Sequence, residues 1–581
     1  MSGPSRRNIP FSSNPLLRIT LPAYRSHLLM AGIALAFAAL AARAVYLQVF
    51  SQDFLQKQGE SRYGRTLDLP ASRGEVRDRN GVQLATSLPA RAVFAVPGEV
   101  DLAHPRLPEV ARRLGLTEAE LRQRISGTER NFVFLRRQLE LEHAAKVLEL
   151  KVPGIHVQPE YKRQYPEGER LAHIVGFTNI EDIGQEGIEL AQNKLLAGRS
   201  GSRRVIRDRL GRVIEEVEAI REPLNGNNIV LSIDSKVQYH VFEALRAAVA
   251  EHKAAAGGAV VLDTRTGEVL ALVNLPTYDP NVRQEMSGAQ LRNRVLTDIF
   301  EPGSTMKPFT AALALDLGNV TPQTVIPTLG GKITISGHTL SDVKGHASLT
   351  VEQVIQKSSN VGTVQMALKI APRDMWETFA AVGLGQAPQL GFPGAVAGRL
   401  RPHRNWKQID QATMSYGHGL SVSLMQLARS YLVFARDGDL IPVTIFRQEG
   451  EVSSTPVFTP QTARAVRRML ELAAGPGGTA PQAQVPGYRV AGKTGTAHKI
   501  ENGRYVNKYV SSFVGFAPVS DPRFVVAVMI DEPTAGKHYG GQVAGPLFSR
   551  VMGDVLRMLR IPPDIGAGGV ADASGLSRER M

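Results

Sequence analysis

The feature that most restricts this chain is an apolar run near its start. Residues 28–42 read Leu-Leu-Met-Ala-Gly-Ile-Ala-Leu-Ala-Phe-Ala-Ala-Leu-Ala-Ala without a break. Ahead of it stand Arg6, Arg7, Arg18 and Arg25, and no acidic residue occurs before Asp53. A helix of this length spans only ~22 Å, short of the ~30 Å hydrocarbon core. The pattern resumes after Arg43 as Ala-Val-Tyr-Leu-Gln-Val-Phe and ends at Phe50. Arg43 can snorkel to the far interface, and Tyr46 suits the headgroup level. Residues 28–50 therefore read as a single transmembrane helix. The positive-inside rule makes residues 1–27 a cytoplasmic tail and places everything beyond Phe50 outside the inner membrane. A cleaved leader competes, since Ala39-Leu40-Ala41 fits a small-residue cleavage site. The apolar residues beyond that site favour the uncleaved anchor, and both readings export the body.

Lys and Arg outnumber Asp and Glu by 68 to 54, for a net charge of +14. Such a surface suits an anionic membrane or an acidic wall polymer. Nucleic acid is not expected, because basic and aromatic residues do not interleave. The chain has no cysteine, which excludes disulfides, iron–sulfur clusters and thiol nucleophiles together. Its histidines show no ligand spacing, so no metal and no cofactor are expected.

Two exported modules are expected. Residues 51–225 open with Arg73-Gly74-Glu75-Val76-Arg77-Asp78-Arg79-Asn80-Gly81, a tight-turn signal, followed by helical stretches at 117–125 and 139–150. The charge-dense stretch 198–227 alternates apolar and charged residues and reads as exposed hairpins. Residues 226–563 carry a strand at 228–233, a helix at 238–250 and a hairpin at 258–263 and 268–273. Strands follow at 488–491, 509–516 and 524–530, then a closing helix at 541–559. The turn between the last two strands has no room for a crossover helix. The sheet should be antiparallel, about five strands, with helices on both faces: an α+β fold. Residues 564–581 read as a loose Gly/Ala/Ser-rich tail.

Two motif sets compete on one stretch. Gly487 to Gly492-Lys493-Thr494 satisfies a phosphate-loop pattern, and Asp531-Glu532 after an apolar strand mimics a magnesium-holding one. Its context fails: turn residues precede Gly487, and Gly495-Thr-Ala-His-Lys-Ile-Glu-Asn-Gly503 opens a helix poorly. The second set is Ser304-Thr-Met-Lys307, Ser358-Ser-Asn360 and Lys493-Thr494-Gly495, in that order. Ser341-Asp-Val-Lys344 and Ser12-Ser13-Asn14 are decoys for its first two parts. Glu301-Pro302-Gly303 ahead of Ser304 and an apolar run after Pro308 place the serine at a helix start. Lys307 then lies one turn on, on the same face. Serine is a poor nucleophile and needs an adjacent base.

With this triple motif the chain resembles the penicillin-binding proteins, serine acyltransferases of the β-lactam-binding superfamily. Arg73-Gly74, Asp78-Arg79-Asn80-Gly81, Gly176-Phe-Thr178, Gly184-Gln-Glu-Gly187, Gly417-His-Gly-Leu-Ser421 and Gly540-Gly541 extend the likeness to the class B group. Within it, the chain looks like the division-specific transpeptidases that cross-link septal peptidoglycan in Gram-negative bacteria. Met306 departs from the usual motif, where a smaller β-branched residue is commoner, and should face the core.

The resemblance implies a D,D-transpeptidase with a single anchor, an elongated pedestal and a penicillin-binding domain. Ser304 would attack the D-Ala-D-Ala carbonyl of a pentapeptide stem. Lys307 would be its base, brought from the ordinary ~10.4 toward neutrality at a cost of roughly 4 kcal/mol, with Lys493 remaining charged. Ser358 would relay a proton, and Asn360 would hold the base and a substrate amide. Lys493, Thr494, Gly495 and Thr496 would bind the stem carboxylate, and the N–H groups of Ser304 and Thr496 would form an oxyanion hole. Expected partners are peptidoglycan stems, a membrane glycan polymerase, other division proteins and β-lactam inhibitors. His418 and His498 are taken as structural. A division scaffold with a secondary enzymatic role, and a side-wall transpeptidase, are the rivals.

Overall fold

The computed structural model describes residues 23–50, 64–126, 132–207, 213–282 and 286–565. The expected tails, up to residue 22 and beyond 565, lie outside the described residues. An α-helix runs over Ala23–Val45 and continues as a π-turn over Tyr46–Phe50. It starts ahead of Leu28 because backbone bonding, unlike apolar composition, does not stop at the hydrocarbon boundary. The most apolar 18 residues of its span Ala23–Val49 have a mean hydropathy of 2.1 and bury nothing against the protein, so by length and composition the helix can cross a membrane.

The chain forms two compact units. One holds the residues up to Leu69 with Ser200–Pro223, the other Pro70–Arg199 with Leu224 onward. In the first, Gly64–Leu69, Gly201–Arg207 and Val213–Arg221 form a three-stranded antiparallel sheet. The hairpin expected there is present and gains a third strand from the N-terminal side.

In the second unit, the pedestal strand Gln83–Ala95 pairs antiparallel with Val133–Leu139 and Ile155–Gln164. The short helices Leu107–Leu114, Glu118–Ser126 and Leu141–Leu148 cover it around Val93, Val110, Leu121, Leu135 and Val147. Glycines set the close approaches. A Cβ on Gly74 would stand 2.0 Å from Asn227 O, on Gly176 1.9 Å from Glu186 O, and on Gly184 1.9 Å from Glu189 O. These contacts pull Arg73, Arg163 and Glu189 into one buried joint. Arg73 Nε donates to Glu189 Oε2 at 2.5 Å and Arg163 Nε to Glu189 Oε1 at 2.7 Å.

The C-terminal part of this unit holds a five-stranded antiparallel sheet ordered Val269–Leu275, Ala256–Asp263, Phe524–Asp531, Arg504–Ala517, Ala491–Glu501. Its residues alternate between two cores, as period-2 side chains must. Val261, Phe513, Val526 and Val528 pack with Phe242 and Leu245 of helix Ser235–Glu251 and Phe548 and Val551 of helix Gly540–Met558. Val260, Val514, Phe516 and Val525 pack on the other face with helix Leu424–Ala435 and with Phe309.

Two expected strands differ. The 488–491 segment is not the strand: Tyr488 only bridges Val485, and the strand is Ala491–Glu501. Gly492 and Gly495 disfavour a strand locally, but register with Arg504–Ala517 overrides propensity. The 228–233 segment shortens to Ile229–Val230, parallel to Val76–Arg77. Beyond Val230 the segment changes partner, Leu231 bridging Phe446 and Ser232 N donating to Ile445 O, before Asp234 caps the next helix, its carboxylate accepting from Lys236 N and Val237 N.

Candidate active site

Ser304 sits in a 3₁₀ turn, Gly303–Met306, that runs directly into the α-helix Lys307–Asp316. Pro308 fits the first turn, where its missing N–H is not needed. Thr305 Oγ1 donates to Pro302 O at 2.8 Å, and the buried Tyr431 Oη donates to Thr305 O at 2.8 Å, fixing the turn from both sides. Met306 is fully buried in the core, as expected. Ser304 remains partly exposed.

Lys307 and Lys493 are both 0% exposed. Ser358 joins them: its Oγ lies 3.0 Å from Lys307 Nζ and 2.9 Å from Lys493 Nζ. Lys307 Nζ also donates to the Ser358 carbonyl oxygen. Burial drives the Lys307 pKa well below the ordinary lysine value; the neighbouring Lys493 charge adds to this and Asp342 opposes it. Burial lowers Lys493 to about 7. A neutral amine has two N–H donors and one lone pair. With both donors spent on Ser358, the lone pair of Lys307 is free for the Ser304 hydroxyl. That contact is not formed here; such bonds commonly tighten only in the substrate complex.

Ser358 is the C-cap of helix Val351–Lys357 and adopts φ +60°, ψ 41°, a left-handed conformation unusual for a side-chain-bearing residue. The next helix, Asn360–Ala367, starts at once. Asp342 caps it: its carboxylate accepts from Asn360 N, Ser359 Oγ and Val361 N. Asn360 Nδ2 donates to Ser341 O at 2.8 Å. The decoy segment Ser341-Asp-Val-Lys344 is therefore not a second nucleophile; it holds the Ser358–Asn360 turn. Sequence reasoning missed Asp342. The only signal was an acidic residue in a turn between two strands and a helix, which many surface loops share.

The edge strand Ala491–Glu501 carries Lys493, Thr494, Gly495 and Thr496. Thr494 Oγ1 lies 3.2 Å from Thr479 Oγ1, and Thr496 Oγ1 accepts from Gly540 N at 2.9 Å. Gly495 has no room for a side chain, since a Cβ there would lie 2.4 Å from Ser512 Oγ and 2.9 Å from Pro302 O. Glycine lets this strand approach the serine turn. A Cβ on Gly417 would stand 2.1 Å from Gly303 O, so the Gly417–Gly419 segment packs onto the same turn. All eight candidate residues thus converge where the serine turn, the Ser358 turn and the edge strand meet. Among the described residues, no group of His, Asp and Glu side chains is placed to hold a metal ion.

Residues 257–553 match the penicillin-binding protein transpeptidase domain, and residues 68–231 the penicillin-binding protein dimerisation domain. The chain belongs to the penicillin-binding transpeptidases. Over 547 residues it is 43% identical to a probable peptidoglycan D,D-transpeptidase PenA of Neisseria meningitidis, covering 93% of each chain. It is 41% identical over 548 residues to the peptidoglycan D,D-transpeptidase FtsI of Escherichia coli, again covering 93% of each. The transpeptidase domain of Burkholderia pseudomallei penicillin-binding protein 3 superposes with a TM-score of 0.54 at 54% identity, covering 58% of this chain and 98% of that one. In a penicillin-binding transpeptidase the phosphate-loop pattern at Gly487–Thr494 has no role, and here it lacks the required helix: Lys493 and Thr494 lie inside a strand.

Proposed function

We propose that this peptidoglycan D,D-transpeptidase works through an acyl-enzyme on Ser304 and serves the division septum. The observation that carries the chemistry is the Ser358 hydroxyl between two fully buried lysines, at 3.0 and 2.9 Å. Lys307, neutral, takes the proton of Ser304 as its oxygen attacks the penultimate D-Ala carbonyl. The Ser304 and Thr496 N–H groups stabilise the oxyanion. Ser358 accepts from both lysines, which leaves its own proton to pass to the departing D-Ala nitrogen. Lys493, Thr494 and Thr496 hold the stem carboxylate. The open edge of strand Ala491–Glu501 takes the stem backbone as an added strand, and Asn360 fixes a substrate amide. A second stem amine then takes the acyl group. β-Lactams enter the same route and stop at the acyl-enzyme.

The septal reading rests on the FtsI relative matched over nearly the whole chain and on the pedestal glycines, which follow the division subgroup. The helix Ala23–Val49 fits a single inner-membrane anchor with the N-terminus cytoplasmic and the body periplasmic. Its unburied apolar surface would face lipid and a polytopic glycan polymerase, with further division proteins on the pedestal. The module boundaries 51–225 and 226–563 belong to this reading. Fluorescent penicillin labelling of the full chain tests the chemistry. A stable covalent band lost in Ser304→Ala and kept in Ser341→Ala is expected. No band in the wild type, or one lost only in Ser341→Ala, overturns it. A Ser304→Ala chain that still supports septation would favour the scaffold rival.

A further inference from the structure

Transfer to an amine poses a proton problem that the Ser304–Lys307 pair does not solve alone. The acceptor stem arrives as an ammonium ion, R–NH₃⁺. It must lose one proton before it is a nucleophile and a second when the tetrahedral species collapses. The second can go to Ser304 Oγ through Lys307, the reverse of the transfer that activated the serine. The first needs another base beside the serine turn.

One cluster next to that turn, built on a buried carboxylate, has no assigned role. Glu301 lies three residues before Ser304, with its side chain 7% exposed. Its carboxylate accepts from Gly419 N at 2.8 Å and from Tyr505 Oη at 3.2 and 3.1 Å. Oε2 faces His418 Nδ1 at 3.6 Å, and the His418 side chain is 32% exposed, within reach of solvent. The segment that carries His418 is pinned to the serine turn, since Gly303 N donates to Gly417 O at 3.1 Å. Across the cluster, Tyr505 approaches His418 at 6.3 Å and His498 at 6.5 Å between ring centroids. His498 stands two residues after Thr496 on the edge strand. The cluster therefore borders both the nucleophile and the stem-binding strand.

We propose that His418, oriented by Glu301, is the base that receives the acceptor amine, and that this face is the acceptor-stem subsite for a primary ammonium group. The proposal rests on the acyl-enzyme reading above. In the step, His418 Nε2 takes one proton from R–NH₃⁺, and Glu301 stabilises the imidazolium through Nδ1. The freed R–NH₂ attacks the ester carbon; the C–N bond forms and the C–Oγ bond to Ser304 breaks. The second amine proton goes through Lys307 to Ser304 Oγ, and His418 returns its proton to solvent. The groups facing His418 fit this use. Burial lowers its pKa and Glu301 opposes this; Lys307 and His498 also face the ring and lower it further only when they carry charge, so the ring is neutral and ready to accept. Tyr416 and Tyr505 stay protonated, both pushed up to about 12 mainly by burial. Arg401, across Gly419, is held by Asp410 at 2.7 Å. Glu301 is a positioning residue; His418 touches the substrate.

The test uses the full chain in detergent, a benzoyl-D-alanyl thiolester as donor and D-alanine as acceptor. The readout is the ratio of aminolysis to hydrolysis, which does not depend on how fast the acyl-enzyme forms or how much protein is active. His418→Gln should lower this ratio about a hundredfold, within the range of general-base effects. Glu301→Gln should lower it about tenfold and move the acidic limb of its pH profile downward, because the carboxylate no longer holds a proton on His418. A ratio unchanged in His418→Gln overturns the proposal. So does a Glu301→Gln limb that stays at the wild-type pH. Should Glu301→Gln not fold, His418→Gln decides alone. Failure of the wild type to form any acyl-enzyme is a separate result, and it sinks the Ser304 reading instead.

Discussion

Twice this protein buries two basic side chains around one oxygen-bearing side chain, and it does so by opposite means. In the pedestal, Arg73 and Arg163 close on Glu189, and all three side chains are 0% exposed. Near the serine turn, Lys307 and Lys493, equally buried, close on Ser358. Arginine keeps its charge at any ordinary pH, so its burial demands a carboxylate. Glu189 supplies one, and Arg73 Nη1 adds bonds to Asp182 O and Asn193 Oδ1 at 3.0 and 2.9 Å. Lysine can instead release its proton when buried. Ser358 brings no charge, and both lysines are pushed downward. The fold places a carboxylate where it needs a fixed ionic joint and withholds one where it needs a base.

The sharpest way to break this contrast is to replace the base and the joint in turn. Lys307→Met should lower the rate of penicillin acylation by more than about 10³-fold, the scale seen when a nucleophile loses its activating partner. It should not lower stability, because a thioether fills the same space without the cost of desolvating an amine. Glu189→Gln should do the reverse. It leaves two buried guanidinium groups without a countercharge, a loss of about 3–5 kcal/mol. Thermal unfolding should show this as a large drop, while the acyl-enzyme still forms below the transition. A stability loss in Lys307→Met comparable to that of Glu189→Gln would mean that the two clusters are alike and the lysines are both charged.

The two clusters also differ in how far the sequence exposes them. Ser304, Lys307, Ser358 and Lys493 can be found without a structure because each lies in a short motif whose order and spacing reject the decoys. The edge strand around Lys493 is readable for the same reason, even though its boundaries shift. Arg73, Arg163 and Glu189 lie far apart in the chain, and nothing local marks them as partners. What joins them is the approach of backbones at Gly176, Gly184 and Gly187, a tertiary fact. Asp342 was hidden differently: it sits inside a false motif, and its role follows only from a turn that folds onto Ser359 and Asn360. Strand 488–491 failed because local apolar content pointed upstream of Gly492, whereas pairing with Arg504–Ala517 set the start at Ala491.

The smallest effect is the most discriminating, because it reads protonation directly. The unfolded chain holds a proton on each lysine up to the ordinary value of ~10.4. The folded chain releases them earlier, Lys493 near 7 and Lys307 well below its ordinary value. Between about pH 7 and 10 the unfolded state therefore binds more protons, and stability rises with pH. Lys307→Met removes one of these groups. It should be more stable than the wild type at pH 7, and its advantage should shrink steadily toward pH 10. The deficit of Glu189→Gln should stay level over the same window, because glutamate and arginine side chains do not ordinarily titrate there. Paired urea titrations of the three proteins across this range would show one gap closing and the other constant. A Lys307→Met gap that also stays level would mean that Lys307 keeps its proton in the folded enzyme. The Ser304 base would then have to be a group that does not share its burial.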